Sequence, residues 1–113
     1  MYLILPYPPT INTCWRSVNG RNILSPKARK YIEDALWVIS EQRIPRTLAS
    51  RVGLTIKVLP PNRRRRQVDS ILRPVFDALW FACVYEDSAQ VDRLEISKEP
   101  EKYARIEVEV REL

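Results

Sequence analysis

The sequence predicts one α+β domain covering residues 1–113, a mixed β-sheet of about four to five strands packed with two helices. Three observations lead there. Short apolar runs alternate with polar residues at the start, the middle and the end of the chain. Two longer stretches between them repeat their apolar residues at helical spacing. A chain of 113 residues with 45% hydrophobic content can fill one core and not two. The order strand, loop, helix, strand, helix, strand, strand suits helices layered on a sheet, and no repeat or linker interrupts it.

Tyr2 to Leu5 reads as the first strand. Pro6, Pro8 and Pro9 then impose an extended or turning path, so residues 6–20 read as a long structured loop, a functional surface in so small a domain. Ile23 and Leu24 form a short apolar piece. Ser25 follows as an N-cap with Pro26 at the first helical position. Ala28, Ile32, Ala35, Leu36 and Ile39 continue that helix to about Arg43, before Pro45 ends it. Val52, Leu54, Ile56 and Val58 alternate with Gly53, Thr55 and Lys57, a strand with one buried face that Pro60 and Pro61 stop. Ile71, Leu72, Val75, Phe76, Leu79, Trp80 and Cys83 make a broad apolar stripe at helical spacing. Pro74 lacks an amide hydrogen and disfavours helical geometry at Arg73, so this helix starts irregularly near Ser70 or kinks in its first turns. Leu94 and Ile96, then Ile106, Val108 and Val110, mark two last strands, expected to pair as a hairpin turning near residues 100–102. Trp37, Trp80 and Cys83 fall in apolar stretches and are expected in the core. The stripe is wider than two helices and one sheet can cover, so a homodimer burying part of it is expected.

Composition removes whole classes of chemistry. Histidine is absent, which excludes Ser/His/Asp and Cys/His triads, histidine-ligated zinc and a histidine base. Cys14 and Cys83 are too few for a four-thiolate zinc site or a disulfide scaffold. The apolar opening stops at Pro6, without a leader pattern or an 18-residue apolar span, so the expectation is a cytoplasmic protein with no membrane partner. A net charge of +5 favours a polyanionic partner.

The residues best suited to such a partner are Arg63, Arg64, Arg65 and Arg66, four planar donor forks on the loop after the middle strand. A solvated charge run is the plainer reading of them. Asp69 behind them makes sense if a carboxylate-held metal must meet a phosphate backbone that the arginines hold. A second acidic turn contains Glu86, Asp87, Ser88 and Asp92. A straight helix of about 14 residues would hold Asp69 and Asp87 roughly 20 Å apart. A shared site therefore needs the chain to fold back or a second subunit to contribute; otherwise Asp87 and Ser88 simply cap a turn. Asp69, Arg73 and Asp77 stand at i, i+4, i+8, the spacing of an ion-paired helix surface, although Arg73 also suits charge developing on a phosphoryl group. Trp15 beside Arg16 suits stacking on an exposed base or ordinary loop packing.

These segments match a known pattern. Leu5-Pro6-Tyr7-Pro8-Pro9-Thr10-Ile11-Asn12 with Trp15-Arg16, then Leu24 to Tyr31, resembles the N-terminal signature of RusA-like Holliday-junction resolvases. Pro61 to Leu79 resembles their Pro-Asp-Arg-Arg-Arg-Asp-x-Asp-Asn...Asp-Ala-Leu block, and Asp87 to Val91 their Asp-Asp-x-Gln-Val. The blocks occur in order over nearly the whole chain. The resemblance implies a homodimer that binds four-way DNA and nicks it with magnesium, often encoded by phages. It places the catalytic aspartates at Gln67, Asp69 and Ser88, the assisting lysine at Arg73, and the first aspartate of the late pair at Asp87. Two of three acids are thus replaced. Asp69 and Asp87 remain for a metal, and a site so reduced should hold magnesium weakly. The expected DNA surface comprises Arg63, Arg64, Arg65, Arg66, Arg16, Trp15, Asn12, Lys27 and Lys30. Rival readings are a junction-binding or regulatory protein without catalysis, and a basic protein-interaction or ribosome-associated domain.

Overall fold

The alternating strands find their partners in a computed structural model that describes residues 1–8, 15–18, 21–44, 46–61, 69–99 and 104–113, with the backbone alone at 15–18, 21–24 and 69–70. The chain runs β1 (Tyr2–Leu5), β2 (Trp15–Val18), β3 (Arg21–Leu24), α1 (Pro26–Glu41), β4 (Val52–Leu59), α2 (Asp69–Phe81), a 3-10 turn (Ser88–Gln90), β5 (Val91–Lys98) and β6 (Arg105–Glu112). This is the expected α+β layer of two helices on a mixed sheet. The sheet order is β1-β6-β4-β5, and β2 pairs with β3 as a separate ribbon.

Register carries the apolar alternation across the sheet. Ile56 stands opposite Val108, which stands opposite Leu3; Val58 stands opposite Ile106, which stands opposite Leu5. All of them are buried, in one cluster with Tyr31, Ala35 and Ile39 of α1 and Ile71, Val75 and Leu79 of α2. Lys57 faces Glu107 on the opposite side, where side chains remain in or near solvent.

The last two strands do not form the hairpin expected of them. β5 lies parallel to β4 on one side, while β6 lies antiparallel to β4 on the other. The reason lies in their apolar content. β6 buries Ile106, Val108 and Val110 and suits an interior position, whereas β5 is exposed along most of its length and makes an edge. The connection from β4 to β5 through α2 is the crossover a parallel pair needs. Leu94, opposite Leu54, stays 42% exposed because the helices do not cover that edge.

The loop expected over residues 6–20 is shorter, since Trp15 lies in β2 with Trp15↔Leu24 and Val18↔Arg21 in register. The signal was present in the sequence: Asn19-Gly20 is a residue pair that two-residue hairpin turns favour. Helix α1 starts as expected, with Ser25 Oγ accepting from the Ala28 amide at 3.2 Å and Pro26 at the first position. It ends at Glu41 with Gln42 as C-cap. The Gln42 side chain then accepts from the Ile4 amide at 2.8 Å and donates to the Ile4 carbonyl at 2.7 Å, which satisfies part of the open β1 edge. Helix α2 keeps Pro74 within it and begins at Asp69.

Three residues expected in the core are outside it. Trp37 is 70% exposed, halfway in sequence between buried Ala35 and Ile39 and so about 200° around the helix from either. Trp80 is 50% exposed, one step around the helix from buried Leu79. Cys83 is exposed at φ 60, beyond the last turn of α2. Among the described residues no helix is long and apolar enough to cross a membrane.

Candidate active site and nucleic-acid interface

The end of α2 determines where the acidic turn goes. The Val84 amide donates to the Leu79 carbonyl and the Cys83 amide to the Trp80 carbonyl, both at 3.0 Å, the paired bonds of a Schellman motif with Cys83 in the left-handed position. Buried Val84 and Leu79 are the apolar residues that usually meet across it. The chain reverses there, and Tyr85 is buried against α2, its hydroxyl donating to the Phe76 carbonyl at 2.9 Å. Burial, then the nearby Asp77 and Asp87 carboxylates, push the Tyr85 phenol far up, so it serves as a fixed donor.

The turn itself is held by two side chains. Asp87 caps the 3-10 turn by accepting from the Ala89 amide at 2.9 Å. Gln90 accepts from the Glu86 and Asp87 amides at 2.9 and 2.8 Å and donates to the Leu48 and Ser50 carbonyls at 3.0 and 2.7 Å. Asp87 therefore caps this turn, and the same fold-back that forms the turn also brings it toward α2. Sequence reasoning alone misses Gln90, although a capping acid three residues before a glutamine is its signal.

Folded back in this way, the turn faces α2 across a cavity of about 660 Å³. Arg73, Phe76, Asp77 and Trp80 line it from the helix; Glu86, Asp87 and Ser88 line it from the turn. Arg73 Nε reaches both Asp77 carboxylate oxygens at 3.2 Å, the i, i+4 pair the spacing suggested. Asp69 begins the same helix one turn before Arg73, but its side chain lies outside the described residues, as do Asn12, Arg63, Arg64, Arg65, Arg66 and Gln67 entirely. Trp15 and Arg16 lie on β2, described by backbone alone. Lys27 and Lys30 are exposed on the first turns of α1, Lys30 lying 3.5 Å from Asp34, and neither lines the cavity. Asp92 pairs with Arg51, away from the cavity lining.

The described lining supplies only part of any magnesium donor set, because the Asp69 side chain lies outside the described residues. Among the described residues no three carboxylates converge as a metal cluster; Asp77 is paired with Arg73, and one oxygen of Asp87 is engaged in its cap. Ser88 brings a hydroxyl, which lacks the charge that offsets magnesium dehydration.

Fold and cavity together define a small basic α+β domain whose crossover helix and returning turn converge on a polar site. The family model described as endodeoxyribonuclease RusA matches residues 6–111, and the chain belongs to that family. It is 33% identical over 93 residues to the crossover junction endodeoxyribonuclease of Enterobacteria phage HK97, covering 82% of this chain and 78% of that protein. It is 32% identical over 112 residues to the protein of that name in Escherichia coli strain K12, covering 98% and 93%. The counterpart in Enterobacteria phage 82 is 32% identical over 113 residues, covering 99% and 94%.

Proposed function

We propose that this protein binds four-way or other branched DNA as a homodimer, and that its magnesium-dependent nicking is weak, altered or lost. The observation that carries the reading is the cavity joining Arg73 to Asp87 and Ser88, positions that match the family's catalytic motifs. The relatives are crossover junction endodeoxyribonucleases, which supports a junction as substrate. Arg63, Arg64, Arg65 and Arg66, with Arg16, Lys27 and Lys30, hold phosphates in this reading; Asn12 and Trp15 complete the DNA surface, Trp15 by stacking on an exposed base. Asp69 and Asp87 are the remaining metal-side acids, and Arg73 takes the place of the assisting lysine. Binding without cutting is favoured within this reading by Gln67 and Ser88, since neither an amide nor a hydroxyl replaces a carboxylate. The rival of a basic interaction or ribosome-associated domain required an accidental resemblance, and family membership removes that premise. Two of the named relatives are phage proteins, which supports a phage or prophage origin and action on DNA in the cytoplasm.

The test rebuilds the acids. Gln67→Asp with Ser88→Asp should raise magnesium affinity and produce or increase nicking of a synthetic four-way junction, while each single change does much less because the ligands act as a unit. Asp69→Asn in the rebuilt protein should remove the gain and leave junction affinity within about threefold, because arginines hold the backbone. Strong nicking by the unmodified protein, lost on neutralising Glu86 or Asp87, would show that the turn supplies relocated ligands and that the site is not depleted.

A further inference from the structure

The Trp80 indole is the boundary of two cavities. On one side lies the polar cavity with Arg73 and Ser88. On the other, Trp80 and Glu86 also wall a pocket of about 430 Å³, completed by Thr47, Phe81, Cys83 and Tyr85. The ring is fixed although half of the residue is in solvent. Its Nε1–H donates to the Glu86 carbonyl at 3.1 Å, and Phe81 meets it edge-on with centroids 4.8 Å apart and planes at 71°. A held, open indole beside a site for a DNA strand is suited to stacking, because every base has a π-face and the ring loses little freedom on contact.

We propose that Trp80 is the stacking platform for one nucleobase left unpaired at the branch point, the base resting over the pocket with Phe81 while its sugar and phosphate run toward Arg73. The proposal rests on the junction-binding reading above. A second copy of the chain would also cover an apolar surface, but exposed Glu86 is part of this pocket's lining. A base offers the indole a flat face, and adenine, cytosine or guanine offers a carboxylate an exocyclic amino donor, whereas an apolar side chain would bury Glu86 with no donor. The pocket also shares two of its walls, Trp80 and Glu86, with the cavity that carries Arg73 and Ser88.

The experiment places 2-aminopurine at the branch point of a four-way junction and, separately, in a single-stranded oligonucleotide. Wild-type protein should quench both probes. Trp80→Leu should abolish the quenching and weaken junction binding by about tenfold while duplex binding changes by less than about twofold; Trp80→Phe should retain most of the effect. Equal losses on junction and duplex, or unchanged quenching in Trp80→Leu, would overturn the platform. So would a shift of Trp80→Leu to monomers in sedimentation, which would assign the indole to an interface between copies. Equal wild-type affinity for junction and duplex would instead overturn the junction reading; the single-stranded probe would still decide the platform, sustained by quenching that Trp80→Leu loses and overturned by no quenching.

Discussion

Single side chains hold the parts of this domain that regular structure leaves open. Gln90 joins the acidic turn to the segment before β4 with one amide, and Gln42 does the same for the β1 edge. Glu107 plays a comparable part on the open face of the sheet, where its carboxylate accepts from Arg105 Nε at 2.8 Å. The Tyr2 hydroxyl, then Arg105 and the charge of Lys57, hold the Glu107 carboxyl below its ordinary 4.5, against an opposing contribution from burial. A carboxyl with a depressed folded-state pKa stabilises the fold above its unfolded value, and that stability is lost as pH falls through the folded value. Thermal unfolding followed from about pH 6 to about pH 3 should therefore show a smaller drop in Tm for Glu107→Gln than for wild type. An equal drop would mean that Glu107 is not among the groups whose protonation destabilises the acid form. Tyr2, raised by the same contact, is the converse case, its contribution present below its ordinary 10.0 and lost above it.

Most elements were legible because local chemistry specifies them. Ser25-Pro26 marked the start of α1, Pro60 the end of β4, and the alternation at Val52, Leu54 and Ile56 the buried face. The end of α2 was not legible, because its Schellman position holds Cys83 where glycine would announce the turn. A non-glycine residue at φ 60 carries a steric cost, and Cys83 is exposed, so its thiol returns little packing. Cys83→Gly should raise stability by about 0.5–1 kcal/mol in urea unfolding, and Cys83→Val should lower it by about 1–2 kcal/mol, since a β-branched residue fits that backbone poorly. A loss on Cys83→Gly would show that the thiol packs more than its exposure implies. The exposure of Trp37 and Trp80 was hidden for another reason: helical periodicity names a stripe, and only the packing of α1 on α2 and the sheet decides how wide its buried part is.

At the scale of the molecule, alternation alone did not reveal pairing order: what separates the two last strands is apolar content, which puts β6 with Ile106, Val108 and Val110 in an interior position and leaves the more polar β5 at an edge. The cavity follows from that placement, since a chain returning to β5 beside β4 must pass the end of α2. The width of the apolar stripe also reads differently once folded. Ile71, Val75 and Leu79 are buried within the chain, so a second copy would be left the surface around Leu36, Ile44 and Ala82. Sedimentation at tens of micromolar, an ordinary range for such interfaces, should show a dimer that Ile44→Glu converts to monomers; a monomeric wild type removes the dimer from the proposed function. Charge gives the last expectation. The net +5 is not localised by the described cations alone: Arg73 is paired with Asp77, Arg51 with Asp92 and Arg46 with Glu112, which leaves Arg63, Arg64, Arg65 and Arg66 as the densest run of positive charge in the sequence. If that run meets phosphates, junction binding releases about 0.9 counterions per phosphate neutralised, and the logarithm of affinity falls linearly with the logarithm of salt concentration. Replacing Arg64 and Arg65 by glutamine should flatten that slope by up to about two units and weaken junction and duplex binding alike, because phosphate contacts carry no information about branching. Replacing Arg46 and Arg51 removes the same formal charge from paired positions and should leave the slope nearly unchanged. Equal slopes in all three proteins would make the arginine run a solvated surface and require another part of the chain to hold the DNA.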